Sequence, residues 1–150
     1  RRAWPRLAGS LLLRIPIVRV GMLHARAGCA LAAAAAAPGE ARRGLLDDAS
    51  RALRRLERSR LPSSRSLAAV HRAALAAQLG RTEDAIRGLE GAAAGFERLH
   101  MGAYLAAARR RLGWLRGDPP PAGFIEGQPV ADPDAITGML APGFPRPSEG

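Results

Sequence analysis

The chain has 150 residues, enough for one domain with a modest hydrophobic core. Its 23 basic residues against 13 acidic ones give a formal net charge of +10, and every basic residue is arginine. A single cysteine excludes an internal disulfide framework and a thiolate zinc site, and the lack of any lysine excludes a Gly-rich phosphate loop that ends in Lys.

The predicted elements begin with two helices joined by a short turn. The first runs from 16 to 37, starts at a proline that suits a first helical turn, and ends at Pro38-Gly39. The second runs from 40 to 59, and Leu61-Pro62 breaks it. The apolar setting of Cys29 predicts a buried thiol. Apolar residues recur at helical spacing on one face of each helix: Ile17, Val20, Leu23 and Leu31, then Leu45, Ala49, Ala52, Leu53 and Leu56.

Two further helices flank Gly80. The third runs from 64 to 79, and Ser63 or Ser64 can cap it. Gly80 suits the left-handed position that ends this helix, and Thr82 is predicted to cap the fourth. The third helix is predicted to pack through Leu67, Val70, His71, Ala74, Leu75 and Gln78. The predicted buried face of the fourth consists of Ala85, Ile86, Leu89, Ala92, Ala93, Phe96 and Leu99.

A fifth helix and a tail complete the chain. The helix runs from 102 to 115, and beyond it the sequence is rich in proline and glycine, with one predicted helical turn at 134–140. The tail could be a docking peptide, or it could fold back on the helices. Folding back is favoured because it would cover Met139, Leu140 and Phe144.

The spacing of the turns predicts a repeat. Pro38-Gly39 and Gly80 are about 40 residues apart, and each separates two helices of similar length. We therefore predict an all-α fold in which antiparallel helical hairpins stack as a short α-solenoid. The pattern from Gly80 to Phe96 resembles a tetratricopeptide-type hairpin, which implies that this solenoid is tetratricopeptide-like (TPR-like). The predicted organisation is an N-terminal extension or the end of a preceding helix over 1–15, TPR-like repeats over 16–116, and a partly disordered Pro/Gly-rich tail over 117–150.

Three segments carry a resemblance to a known family. Phe96-Glu97-Arg98-Leu99-His100-Met101 and the following Tyr104-Leu105-Ala106-Ala107-Ala108-Arg109-Arg110-Arg111-Leu112-Gly113 are similar to the C-terminal ends of large bacterial, myxobacterial-type serine/threonine protein kinases. Those proteins join a kinase domain, an AAA-type ATPase region and a TPR-like C-terminus. Asp132-Pro133-Asp134-Ala135-Ile136-Thr137-Gly138-Met139-Leu140-Ala141-Pro142-Gly143-Phe144 resembles the segment that closes them. The chain departs from them at 119–127, where they usually carry one more amphipathic helix.

No catalytic signature accompanies the resemblance. The chain has no His-Arg-Asp and no Asp-Phe-Gly segment, so it lacks the catalytic base and the magnesium ligand of a kinase. His24, His71 and His100 lack companion carboxylates at ligand spacing, and we interpret them as packing or surface residues. We predict no catalytic, cofactor-binding or metal-binding residue in this chain, no cofactor and no enzymatic activity of its own.

The codon bias of a GC-rich bacterial genome would account for the excess of arginine without a functional role for the charge. The arginines are spread over every predicted helix and alternate with acids at helical spacing, as in Asp47 with Arg51 and Glu83 with Arg87. The run 109–111 is interpreted as a solvated helix face. Aromatic residues are only 4% of the chain, which disfavours stacking on nucleic-acid bases.

The function predicted from these observations is a helical-repeat interaction or scaffold region of a bacterial serine/threonine kinase signalling protein. Its expected partner is another protein or another domain of the same polypeptide, with no small-molecule substrate. Arg14, Arg19 and Arg26 interrupt the apolar stretch at 11–31, so we predict no membrane span and a cytoplasmic location. The alternatives are a basic helical nucleic-acid-binding module and the repeat region of an ATPase-type transcriptional regulator.

Overall fold

A computed structural model describes residues 15–118 and 130–145 of the chain. Within those two ranges the regular structure is six helices, without a strand, so the predicted all-α class is confirmed there. The helices are α1 (Pro16–Ala36), α2 (Gly39–Glu57), α3 (Pro62–Gln78), α4 (Thr82–Arg98), α5 (Gly102–Arg116) and α6 (Pro133–Leu140). The predicted extension before residue 15, and the segment 119–127 that departs from the kinase tails, lie outside the described residues.

Backbone geometry explains where α3 and α4 end. Gly80 has a φ of +74° after the last turn of α3, and the amide of Arg81 donates to the carbonyl of Ala76, as in a Schellman cap. The end of α4 repeats this geometry, with His100 at a φ of +54° and Met101 donating to Phe96. The predicted left-handed position at Gly80 is therefore confirmed, and His100 adopts the same conformation without being glycine.

The predicted N-terminal side-chain caps are wrong. The residue before α3 is Leu61, and no side chain caps that helix. The hydroxyl of Ser64 instead donates to the carbonyls of Ser59 and Leu61, which fastens the turn between α2 and α3. Thr82 is the first residue of α4, and its predecessor Arg81 offers no side-chain acceptor to the helix amides. Short connections and tertiary packing therefore fix these helix starts.

The helices pack pairwise around one continuous core. Consecutive helices from α1 to α5 contact one another, α1 also packs against α3, and α6 packs against α5. Small residues bring α3 and α4 close together: a Cβ atom placed on Gly88 would lie 3.2 Å from the Cβ of Ala73. The largest wholly buried apolar side chains are Phe96, Leu31, Leu53, Leu56, Leu89, Val20 and Val70.

Three exposure predictions for the first hairpin fail. Ile17 is 63% exposed, and the buried residues of α1 begin only at Val20. Cys29 is exposed, and Leu45 is only half-buried. Both line an open cavity between the outer faces of α1 and α2, where the described residues place no further helix. The predicted ion pairs also differ from those in the structure: Arg51 pairs with Asp48 rather than Asp47, and Arg87 pairs with Asp84 rather than Glu83.

By length and composition, α1 is the one helix in the two described ranges that could cross a membrane. Its buried residues, among them Leu23, Ala27 and Leu31, belong to the same core as those of α2, α3 and α4. One face of α1 therefore packs in the helical core, while 39% of its most apolar 18-residue window is buried.

Candidate binding groove

The final described segment, 141–144, lies in a groove formed by α1, α3 and α5. Gln78, at the end of α3, connects the segment to α1 through its side-chain amide. Its Nε2 donates to the carbonyl oxygen of Leu31 at 2.8 Å and to that of Gly143 at 2.7 Å. Because both acceptors are main-chain carbonyls, Gln78 holds the backbone of the segment rather than a particular side chain.

Arg111 holds the segment from α5. Its Nε donates to the carbonyl of Ala141 at 3.0 Å, and its guanidinium lies 5.1 Å from the ring centre of Phe144 and 4.4 Å from that of Trp114. Only 7% of Arg111 is exposed. Desolvation lowers the pKa of Arg111 to about 10, opposed by the charge of Asp134, so the guanidinium stays protonated at neutral pH. Arg111 thus combines a hydrogen bond with cation–π contacts on two rings.

Glycines allow the backbones to approach closely at two points of this groove. Gly143 has a φ of +81°, and a Cβ atom there would lie 2.5 Å from the Cβ of Leu31. A Cβ atom on Gly28 would lie 2.9 Å from the ring of Pro142 and 3.3 Å from Cε1 of His71. The segment therefore lies directly on α1, and both Pro142 and the buried imidazole of His71 lie close to Gly28.

A pair of histidines crosses the floor of the groove. Nδ1 of His24 and Nε2 of His71 are 2.8 Å apart, so one donates a hydrogen bond to the other, and the hydroxyl of Tyr104 lies 3.3 Å from Nε2 of His24. Burial and the neighbouring His24 lower the pKa of His71 to about 3. Burial lowers the pKa of His24 as well and raises that of Tyr104. Both imidazoles are therefore neutral at physiological pH, and the chain Tyr104–His24–His71 joins α5, α1 and α3.

Helix α6 is attached beside the groove. Arg110 donates to the carboxylate of Asp134 near the start of α6, and Asp132 accepts a hydrogen bond from the amide of Ala135 as its N-terminal cap. Phe144 is 6% exposed, whereas Met139 is 69% exposed. The tail therefore folds back as favoured by the sequence, but it covers Phe144 and leaves Met139 in solvent.

The interpretation of 109–111 as a solvated face is wrong for two of its three residues. Arg109 is exposed and pairs with Glu97. Arg110 is 6% exposed and Arg111 is 7% exposed, because both side chains turn towards the folded-back tail. The sequence of the triplet did not indicate this difference, because the burial of the two guanidiniums depends on residues 24 and 30 positions later.

The predicted site residues are distributed as follows. His24 and His71 meet in the groove despite their separation in sequence, whereas His100 lies in the turn before α5. Within the described ranges, no group of three or more His, Cys, Asp or Glu side chains is arranged to hold a metal ion. Comparisons of the chain with protein-family models, curated proteins and solved structures find no match.

Proposed function

We propose that this chain is a TPR-like interaction module whose groove between α1, α3 and α5 binds an extended peptide segment. One observation carries the proposal: Gln78 and Arg111 donate to the carbonyls of Gly143 and Ala141, while Phe144 lies under a buried guanidinium. Main-chain hydrogen bonds give affinity for a backbone with glycine at the position of Gly143, and the covered aromatic ring adds side-chain selectivity. The tail then serves as an internal ligand of the groove.

The packing order supports a repeat arrangement. In stacked helical hairpins, the first helix of one hairpin lies beside the first helix of the next, and the contact of α1 with α3 follows that order. The histidine pair reinforces the contact, since His24 is on α1 and His71 on α3. The concave side of such a stack is lined by first helices, which here are α1, α3 and α5.

The tail is an incomplete ligand for this groove. Nδ1 of His71 and Oε1 of Gln78 are buried and have no hydrogen-bond partner among the described residues. A buried polar atom without a partner costs about 1–3 kcal/mol. A peptide that supplied partners for these atoms would be preferred over the tail, which favours a groove that exchanges its occupant.

We further propose that the module belongs to a bacterial serine/threonine kinase signalling protein in the cytoplasm. The support is the resemblance at the end of α4, in α5 and in the closing segment 132–144, of which α5 forms one wall of the groove and 141–144 fills it. The chain would then act as a scaffold without catalytic residues. Its ligand would come from a partner protein or from another domain of the same polypeptide.

Binding of a labelled peptide that spans 130–145 tests the proposal. The receptor is the full chain with Phe144→Ala, which weakens its own tail, and fluorescence anisotropy follows the titration. We expect saturable binding to this variant and weaker binding to the wild-type chain, whose groove is occupied. A peptide with Phe144→Ala should lose binding, whereas one with Met139→Ala should keep it, because Met139 is exposed. If the variant receptor binds all three peptides equally or none of them, the groove does not recognise the segment.

A further inference from the structure

A second cavity, of about 550 Å³, opens where three helix ends meet. It lies between the end of α2, the start of α3 and the end of α4. Gln78 and the binding groove are at the other end of α3, and 17 residues of helix extend about 25 Å. The cavity is thus separate from the groove, and the inference drawn from it does not depend on the proposed function.

Four arginines line this cavity: Arg58, Arg60, Arg65 and Arg98. All four are exposed, and none of them has an ion pair or a side-chain hydrogen bond within the described ranges. The acid that lines the same cavity, Glu57, is already engaged by Arg72 through two hydrogen bonds of 2.7 and 3.0 Å. The cavity therefore concentrates positive charge that the described residues leave uncompensated.

A buried hydroxyl adds a polar group to the wall. Ser66 is only 7% exposed, and its side chain has no hydrogen-bond partner among the described residues. It packs so closely on Gly95 that a Cβ atom there would lie 2.1 Å from its Oγ. Both residues line the cavity. The start of α3 also faces it without a side-chain cap, which favours negative charge there.

We propose that this cavity binds a phosphate monoester, as the phosphorylated serine or threonine side chain of a protein. Such a group carries a charge of about −1.5 to −2 and three acceptor oxygens, which guanidinium groups bind through paired hydrogen bonds. Arginine clusters of this kind recognise phosphorylated peptides.

The shape of the site disfavours a nucleic acid. Its charge is concentrated at one junction of helix ends, whereas a bound strand needs a basic track along its backbone. The residues that line the cavity include no aromatic ring on which a base could stack. A single phosphate group fits the cavity better than a polymer of phosphates.

The test uses the full chain and a blocked peptide, acetyl-Gly-Ala-phosphoserine-Ala-Gly-amide, at constant ionic strength. The Nε–H resonances of the arginines report binding in NMR spectra of the ¹⁵N-labelled protein. We expect saturable shifts for Arg58, Arg60, Arg65 and Arg98, and none with the unphosphorylated peptide. The double variant Arg58→Gln/Arg98→Gln should bind the phosphopeptide at least about tenfold more weakly, because each substitution removes hydrogen bonds to the charged phosphate group.

The matched control is Arg43→Gln/Arg54→Gln, which removes the same charge from exposed positions of α2 outside the cavity. It should leave the affinity for the phosphopeptide within about twofold of wild type, as expected for exposed charges. Equal weakening in the two double variants would show non-specific attraction and overturn the site. The proposal would also be overturned if a single-stranded oligonucleotide of matched charge bound saturably and the phosphopeptide did not. That result would assign the cavity to nucleic acid.

Discussion

Replacing Gly143 by alanine should release the tail from its groove. The left-handed conformation at a φ of +81° costs an alanine about 1–2 kcal/mol. The new Cβ atom would also lie 2.5 Å from the Cβ of Leu31 and 3.0 Å from its carbonyl carbon, and such overpacking costs about 1–3 kcal/mol. Together the two effects oppose docking by about 2–5 kcal/mol, which lowers the ratio of docked to released tail by about 30-fold to several thousand-fold.

Amide hydrogen exchange over 133–144 measures this ratio directly. The matched control is Gly138→Ala in α6, where a Cβ atom would have no neighbour within 4 Å. Because alanine favours a helix over glycine by up to about 1 kcal/mol, the control should keep or increase the protection of the tail. The reasoning is refuted if Gly143→Ala changes the protection less than fivefold, or if both variants change it equally.

Three further predictions concern the core, the pH dependence and the arginine run. Phe96→Ala should lower the free energy of unfolding in urea by about 3–5 kcal/mol, because Phe96 is wholly buried, and a loss below about 1 kcal/mol would contradict that burial. Burial holds the pKa of His71 near 3 in the folded chain, so the unfolded chain binds the extra proton below its ordinary pKa of 6.5. The contribution of His71 to the free energy of unfolding should therefore be constant above about pH 6.5 and fall by up to about 1.4 kcal/mol per pH unit from there to pH 5. A urea midpoint that is unchanged over that range would be inconsistent with a buried neutral imidazole. Arg111→Gln should weaken tail protection in hydrogen exchange by about 1.5–3 kcal/mol, whereas Arg109→Gln should change it by less than about 0.5 kcal/mol; equal effects would refute the different burial of the two side chains.

Some helix ends could be predicted, namely those that short-range chemistry determines. Pro16 begins α1 and Gly80 follows α3 in the left-handed conformation, both as predicted, whereas α3 begins at Pro62 rather than at the predicted residue 64. The inward position of Gln78 was also predictable, since it continues the spacing of the apolar residues of α3. These features depend on residues within one or two helical turns, and a sequence pattern contains that information.

The arrangement of the groove could not be predicted in the same way. Arg110 and Arg111 are buried only because the tail returns to them, and His24 meets His71 only because α1 packs on α3. Cys29 is exposed because α1 has an open outer face next to α2. The arginines and histidines depend on partners 24 to 47 residues away, and the exposure of Cys29 depends on how two helices pack; composition and spacing specify neither.

The covalent connection between the groove and its internal ligand sets a threshold for any competitor. Eleven residues, 119–129, join the end of the α5 region to the segment that leads into α6. Because the tail and the groove belong to one chain, and α6 also packs on α5, docking of the tail is intramolecular, with an effective concentration on the order of millimolar or higher. A free peptide with the same intrinsic affinity would have to reach that concentration to occupy half of the grooves. Under the proposed function, the groove therefore suits ligands that are themselves tethered nearby better than dilute peptides of similar sequence.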